Sequence, residues 1–525
     1  MSRSRSGGAR RSDTGRATLI VMFGIGVSRV FGLVREQVIA YFFGRAAAYS
    51  AFVAAYKVPN LVRVLLGEGN LSASFIPVLA EAMKDEDDPE AARRLSRGVL
   101  GLLLAAVGVV TLAGMAAAPA LAWVVAPGFD PGLRELVERL IVVLFPTVAF
   151  MVGGAWCMGV LHAHGRFFWP NFAPMFWSVV SAGALIAFVG RVDMDPVYIL
   201  AWGVVAGSAV QLAVQLPATK AALGTLMPGR GWKDPRVKRV VALFLPMLLG
   251  TGVAQISTLV DIQIATFLTE QSVATLAYAQ RLYTLPLSLF GVAIAQVALP
   301  TLAHEAVGRP PEAIRAELDE AWRRMAFFLV PSTLGLAAFG RPAISLLFER
   351  GRFDAADTTA VTWVLAGYAA GLLAYGSVRL LATAFYAFQD TRTPVEVAVG
   401  ALAVNVALGI ALAWAIGTPG IAVATASAAA ANAAILAVLL RRRIGRLLEP
   451  GAAGETLRVV AAAVAAGAGG LVPYLAILER WPDWGLAARL GSTAGLYAGV
   501  AAAYFAVAGL LGVRRGRRFL GRLTG

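Results

Sequence analysis

The chain has 525 residues, of which 58% are hydrophobic and only 15% charged, against roughly 25% charged in a soluble domain. That balance argues against a soluble globular protein. The net charge of +15 sits between apolar runs and at the termini with no recognition module beside it, which argues against nucleic-acid binding. The single cysteine, Cys157, leaves no partner for an intramolecular disulfide and no thiolate metal cluster.

Residues 1–16, with Arg3, Arg5, Arg10, Arg11 and Arg16, read as a basic tail before a retained first helix. The apolar run behind them is too long and too interrupted by charge for a signal peptide, and no small-residue cleavage site follows it. A window of about 19 residues then finds about fourteen candidate transmembrane helices. Six cover about 17–43, 50–79, 97–125, 135–163, 168–190 and 196–222. Six more cover about 239–268, 272–302, 325–348, 358–388, 393–415 and 418–440, and a last pair covers about 457–478 and 486–511. The expected fold is an all-α polytopic membrane protein. Its parts are a tail (1–16), a six-helix lobe (17–223), a linker (224–238), a second six-helix lobe (239–440), a linker (441–456), two further helices (457–511) and a basic tail (512–525).

The first two helices carry Arg29, Arg35, Glu36, Lys57, Arg63 and Glu68 within apolar sequence. An Arg or Lys at the bilayer centre costs roughly 2.5–3.5 kcal/mol, so such residues face a partner or a water-filled cavity. Four bases against two acids leave a cationic surplus, and the expected visitor is an anion. Guanidinium forks match phosphate and carboxylate oxygens and keep their charge when partly desolvated. Arg29 and Glu36 lie about 20° from a common helical face and roughly 10 Å apart along the axis, while Arg35 points about 120° away from Arg29. The competing reading is an internal ion pair of Glu36 with one Arg, tying two helices together. Pro59, followed by Gly67-Glu68-Gly69, removes a backbone donor and loosens the second helix, as at transporter binding regions and hinges; a tolerated kink is the alternative.

Even-numbered loops hold most of the Lys and Arg, among them Arg93, Arg94, Lys220, Arg236, Arg239, Arg323 and Arg441, and the odd-numbered loops are poorer. This asymmetry places both termini in the cytoplasm and requires an even number of spans. The chain also repeats itself at a shift of about 224 residues. Ile76-Pro77-Val78-Leu79-Ala80 matches Leu299-Pro300-Thr301-Leu302-Ala303, Gly128-Phe129-Asp130 matches Arg352-Phe353-Asp354, and Ala163…Pro170 matches Ala387…Pro394. Six helices per unit make the two lobes parallel, related by an axis along the membrane normal, with the site expected between them. The shift carries Lys57 onto Arg281 and Glu36 onto Asp261, so a shared cavity would collect Arg29, Arg35, Lys57, Arg63 and Arg281. His162 and His164 lack a third metal ligand, and the C-terminal arginines read as contacts to anionic headgroups. No P-loop, H-E-x-x-H or G-x-S-x-G stands out, which disfavours ATP-driven transport or hydrolysis by this chain.

Ser28-Arg29-Val30-Phe31-Gly32-Leu33-Val34-Arg35-Glu36 resembles the opening signature of the MurJ/MviN family. So does Ala51-Phe52-Val53-Ala54-Ala55-Tyr56-Lys57-Val58-Pro59-Asn60-Leu61-Val62-Arg63, continued by Glu68-Gly69 and Phe75-Ile76-Pro77-Val78-Leu79. Ala126-Pro127-Gly128-Phe129 and Arg281-Leu282 fit as well, and the likeness runs over nearly the whole chain, the last two helices included. The resemblance implies a lipid II flippase of the multidrug/oligosaccharidyl-lipid/polysaccharide exporter superfamily. Such a protein is a transporter of the bacterial cytoplasmic membrane and not an enzyme. It moves the undecaprenyl-pyrophosphate-linked peptidoglycan precursor to the outer leaflet by alternating access.

By the same resemblance Arg29, Arg35, Lys57, Arg63 and Arg281 are the substrate-facing cations, supported or gated by Glu36, Pro59, Glu68 and Asp261. The last two helices, roughly Leu457–Leu511, form a groove for the lipid tail. Some members use sodium, and Asp261, Asn405 and Thr425 would match that site; the membrane potential is the other expected driver. The implied partners are lipid II, membrane lipids and the cell-wall synthesis machinery, with a monomeric chain and no other cofactor. The chain departs from the family pattern at Ser50, Glu36 and Gln280, where Asp or another acid is frequent, and at Gly409, where a second acid of the sodium site is expected. The alternatives are a flippase for another polyprenyl-linked glycan, a multidrug exporter of the same superfamily with a more apolar or acidic cavity, and a membrane enzyme acting on polyprenyl lipids.

Overall fold

The computed structural model describes residues 6–67, 69–306 and 311–517. Glu68 and the tail segments 1–5 and 518–525 therefore lie outside the described residues. Among the described residues every regular element is helical, and eleven helical stretches are long and apolar enough to cross a membrane. They coincide with the third to sixth and the eighth to fourteenth expected helices. The first, second and seventh are helical too. The first begins at Ser6 rather than at residue 17, and the second is broken at Gly67–Gly69. The chain divides into two compact units, Met1–Gln263 and Ile264–Gly525.

The first unit contains α1 (Ser6–Phe43), α2 (Ala47–Leu66), α3 (Asn70–Ala82), α4 (Ala91–Ala116), α5 (Ala118–Val125), α6 (Pro131–Leu144), α7 (Pro146–Ala163), α8 (Phe168–Phe172), α9 (Pro174–Phe188), α10 (Pro196–Ala213), α11 (Leu216–Leu223) and most of α12 (Pro235–Thr266). Proline explains many of these boundaries. Pro131, Pro146, Pro174 and Pro196 open their helices, where a missing N–H leaves no bond unmade. The expected fourth, fifth and sixth spans are each two helices meeting end to end for this reason or at a polar joint. One core packs Phe75 and Leu79 of α3, Leu95 and Val99 of α4, Trp156 and Val160 of α7, and Val237 and Val240 of α12. Trp156 donates its indole N–H to the Ser96 carbonyl at 3.1 Å, so its one polar atom is satisfied inside that core.

The segment after α11 lies along α4, with the Gly229 N–H on the Arg97 carbonyl at 2.8 Å. Ion pairs then fix the start of α12: Glu81 with Arg239 at 2.5 Å, and Asp85 with Arg236. The expected linker at 224–238 is thus bound onto the first unit, and α12 packs there over its N-terminal half.

The second unit contains α13 (Ser272–Pro286), a π-helical turn at Leu287–Val292, α14 (Ala293–Ala306), α15 (Pro311–Phe348), α16 (Ala355–Ala370), α17 (Leu372–Ala387), α18 (Arg392–Ile416), α19 (Thr418–Ile444), α20 (Ala452–Arg480) and α21 (Leu486–Leu510). Helix α15 is kinked at Phe339, whose φ of −118° and ψ of 18° are not helical. Tyr497 of α21 donates to the Phe339 carbonyl at 2.7 Å. Tyr504 donates to the Phe327 carbonyl at 2.7 Å, and Trp481 to Ser345 Oγ at 2.8 Å. These bonds fasten the last two helices along α15.

Each unit repeats the other's construction. Asp130 accepts from the N–H groups of Gly132 and Leu133 at the start of α6, and Asp354 accepts from Asp357 N–H in the first turn of α16. Arg93 caps α11 through the Leu223 carbonyl at 2.9 Å, and Arg315 caps α19 through the Ile444 carbonyl at 2.7 Å. Gly165 has φ +69°, and Gln389, about 224 residues later, has φ +59° in the equivalent turn. Gln389 is the only non-glycine with positive φ among the described residues, a strain that this shared turn geometry accounts for.

Candidate functional site

A cavity of about 480 Å³ opens within the first unit. Helix α1 supplies Ser28 and Arg29, α2 supplies Tyr56 and Arg63, α7 supplies Met151 and Met158, α9 supplies Trp177, and Gln211 and Gln215 come from α10 and the residue before α11. Tyr56 and Arg63 are seven residues apart, two turns of α2, and so share a face. Asn60 lies one turn before Arg63, and its Oδ1 accepts from Arg63 Nε at 3.1 Å and Nη2 at 2.9 Å. That fork sets the plane of the guanidinium. Pro59, buried inside α2, leaves the carbonyl of Ala55 without its helical donor.

Gly203 and Gly207 bring α10 against α9. A Cβ on Gly203 would lie 2.9 Å from Ala184 Cβ, and one on Gly207 2.8 Å from the Trp177 carbonyl oxygen. Small residues four apart let two membrane helices touch backbones. Here they set the position of Trp177, whose ring stacks with Tyr56 at 6.3 Å between centroids. The Arg35 guanidinium lies 4.0 Å from the centre of the same indole.

Two of the five expected cations line this cavity; Arg35, Lys57 and Arg281 do not. Arg29 and Arg63 line it, and no carboxylate does so among the described residues. Arg35 is buried, bonded to the neighbouring Glu36 and stacked on Trp177. The Arg35–Glu36 pair joins adjacent residues of one helix, so it does not tie two helices together; the stacking on Trp177 does. Lys57 is half-buried on α2, Asp261 is buried on α12, and Ser50 is buried near the start of α2.

In the second unit Arg281 is exposed on α13, and its neighbour Gln280 donates to the Tyr368 hydroxyl at 3.1 Å. Asn405 is buried on α18, and Thr425 on α19 donates its hydroxyl proton to the Ile421 carbonyl at 2.9 Å. Gly409 meets Ile264: a Cβ there would lie 2.9 Å from Ile264 Cδ1, the tip of a side chain that would have to shift. No group of three or more His, Cys, Asp or Glu able to hold a metal occurs among the described residues.

Sequence reasoning missed the glutamines. Gln215 is buried, its Nε2 donates to the Gln211 carbonyl at 3.0 Å, and its Oε1 has no partner among the described residues. Two glutamines four apart in an otherwise apolar helix were the available signal. The arrangement as a whole is a membrane-embedded pocket with two fixed cations, amide groups and aromatic walls, suited to a polar anion with hydrogen-bonding groups.

Comparison with known proteins places this geometry. The family model described as "Lipid II flippase MurJ" matches residues 39–483. A probable lipid II flippase MurJ of Vibrio cholerae is 34% identical over 501 residues, covering 93% of this chain and 94% of that one. The lipid II flippase MurJ of Burkholderia cenocepacia is 34% identical, covering 89% and 91%. Among solved structures, a lipid II flippase MurJ in an inward closed conformation aligns with a TM-score of 0.73 at 22% identity over 93% of this chain and 99% of that one. An inward-facing multidrug resistance MATE family transporter of the MOP superfamily aligns with a TM-score of 0.67 at 14% identity over 80% and 95%. These last two likenesses show the shared fold. The chain belongs to the MurJ family, and it is a multi-pass membrane protein of that family's all-helical fold.

Proposed function

We propose that this chain moves lipid II from the cytoplasmic to the outer leaflet by alternating access, without changing it chemically. One observation carries the proposal: a cavity among apolar helices, lined by Arg29 and Arg63 and by no described carboxylate. Placing guanidiniums at this depth costs energy that a pyrophosphate returns, since hydrogen bonds to charged groups contribute about 1.5–3 kcal/mol each. Arg281 and Lys57 add positive charge for the same headgroup. Arg35, held by Glu36, orients Trp177 as a wall of the pocket. Gln211 and Gln215 offer amide partners to the sugar and peptide groups.

The apolar cavity of about 370 Å³ lined by Phe290, Phe328, Ala463, Gly467, Tyr497 and Phe505 supports a path for the polyprenyl tail between α15, α20 and α21. In this account both termini are cytoplasmic, and the chain works as a monomer beside the cell-wall synthesis machinery. A glycan on the same polyprenyl-pyrophosphate carrier would meet the same arginines, whereas a drug exporter for amphipathic cations would be opposed by them.

The membrane potential drives the step, because an anionic headgroup moving outward gains about 2.3 kcal/mol per charge per 100 mV. Asp261, Asn405 and Thr425 offer oxygen donors, a set that suits a hard cation such as Na⁺, and with a glycine at 409 they bring one carboxylate. A sodium gradient at those residues is the competing drive. Complementation of a flippase-depleted strain tests the assignment. Arg29→Ala and Arg281→Ala should each fail to support growth while reaching parental levels in the membrane, and full complementation by both would reject it.

A further inference from the structure

One helix carries both a cation assigned to the headgroup and a wall of the tail groove. Arg281 lies exposed on α13, and Phe290, nine residues on, lines the apolar cavity shared by α15, α20 and α21. In an unbroken α-helix nine residues turn through about 900°, which would set these two side chains on opposite faces. The helix is not unbroken. Between them begins the π-helical turn Leu287–Val292, where the Ala293 N–H donates to the Ser288 carbonyl, five residues back. A π turn holds more residues than an α turn, so it rotates Phe290 back towards the Arg281 side.

The turn is written into the sequence. Pro286 brings no N–H to the Leu282 carbonyl, so the α-helical ladder is interrupted there. Hydroxyls take up carbonyls on either side of the break: Thr284 donates to the Gln280 carbonyl at 2.8 Å, and Ser288 to the Thr284 carbonyl at 2.6 Å. Gly291 lets the wide turn touch α17, since a Cβ on it would lie 3.4 Å from Gly376 Cα. Phe290 ends stacked on Phe328 of α15, with ring centres 4.6 Å apart and planes 8° from parallel. Such turns are rare and gather at functional sites, and they differ from an α turn by one place in the choice of hydrogen-bond partner.

We propose that Phe290 is a positioning residue: a polyprenyl tail packed in the groove against the Phe290–Phe328 pair holds the π register, and that register aims Arg281 at the pyrophosphate. The proposal rests on the lipid II reading above and deepens it, because it makes recognition of the tail and of the headgroup interdependent. The coupling is reciprocal: a tail that strengthens the Arg281 contact is itself held more tightly by the same factor.

The test titrates the full chain in a neutral detergent with lipid II carrying its undecaprenyl tail, or a geranyl tail too short to fill the groove. Arg281→Ala should weaken binding of the undecaprenyl form by at least about fivefold more than binding of the geranyl form. In a Phe290→Ala background that excess should vanish. Phe328→Leu, which removes the stack from α15, should abolish it as well, and Phe290→Tyr, which keeps the ring, should retain it. Melting temperatures in the same detergent show which variants are folded. Equal losses for the two tails in the parent, or an excess that survives Phe290→Ala and Phe328→Leu in folded protein, would overturn the proposal and leave the π turn a fixed element of packing. Arg29→Ala separates this outcome from the transport reading. If it weakens both forms while Arg281 shows no tail dependence, the positioning role alone falls; if the parent binds neither form, both readings fall.

Discussion

Arg63 shows how a single residue is made useful. A free arginine on a membrane helix samples many rotamers, but Asn60 accepts two of its N–H groups and fixes the fork. Asn60→Ala should leave the protein folded and weaken lipid II binding about three- to tenfold, the effect of losing one hydrogen bond that orients a charge. Asn60→Asp should be worse for transport, because a carboxylate there neutralises the guanidinium it holds; a binding titration of both variants distinguishes orientation from charge.

Outside the membrane, Asp390 accepts from the Thr393 N–H at 3.0 Å and the Thr393 hydroxyl at 2.9 Å, and Arg443 approaches at 3.3 Å. The Thr393 backbone bond is the main cause of a carboxyl held below its ordinary value of 3.8. A depressed carboxyl stabilises the fold above its unfolded value and loses that contribution as pH falls through the folded one. Asp390→Asn should therefore lower the melting temperature at neutral pH, and the difference should shrink as pH falls below 3.8. At this scale Arg29 and Arg63 were legible because a charge inside an apolar run is conspicuous. A pair of Glu36 with one arginine was legible too; that the arginine is the adjacent Arg35, stacked on Trp177, was not, since helical phase alone does not reveal which neighbour a side chain reaches.

Elements in this chain are set by proline and glycine more than by hydropathy. Apolar runs located the helices to within a few residues, yet they could not show that 135–163 is two helices meeting at Phe145 and Pro146, or that α15 bends at Phe339. The prolines were visible, but whether a proline opens a helix or bends one depends on who satisfies the freed carbonyl. The bend at Phe339 also carries a bond that no local pattern shows, from the Tyr497 hydroxyl, 158 positions away, to the Phe339 carbonyl. Tyr497→Phe should cost about 1 kcal/mol by removing that bond, read as a lower melting temperature in detergent.

The approach of α9 and α10 rests on Gly203 and Gly207 in the same way. Gly207→Val should force the helices apart, at about 1–3 kcal/mol, and displace Trp177 from the cavity wall, checked by thermal unfolding together with tryptophan fluorescence. No such cost is expected at Gly183 on α9, where a Cβ would meet nothing within 4 Å.

Across the whole molecule, the order of helices and the internal repeat were readable because both depend on local sequence. The paired caps by Arg93 and Arg315 and the paired turns at Gly165 and Gln389 give that repeat a structural form. Packing partners were less readable. Glu81 in the last turn of α3 and Asp85 in the loop after it bind the start of α12 and hold it to the first unit, a pairing that no local pattern shows. Each unit can be described from its own contacts, and the function proposed for them is transport through a cationic, membrane-embedded pocket.

The most direct measurement of that claim is leaflet-resolved translocation of fluorescently labelled lipid II in vesicles, with an imposed potential and equal incorporated protein. Arg29→Ala and Arg63→Ala should each slow translocation by at least about tenfold, as expected for losing a charge-assisted contact to the pyrophosphate. Parental rates in both variants would contradict the account.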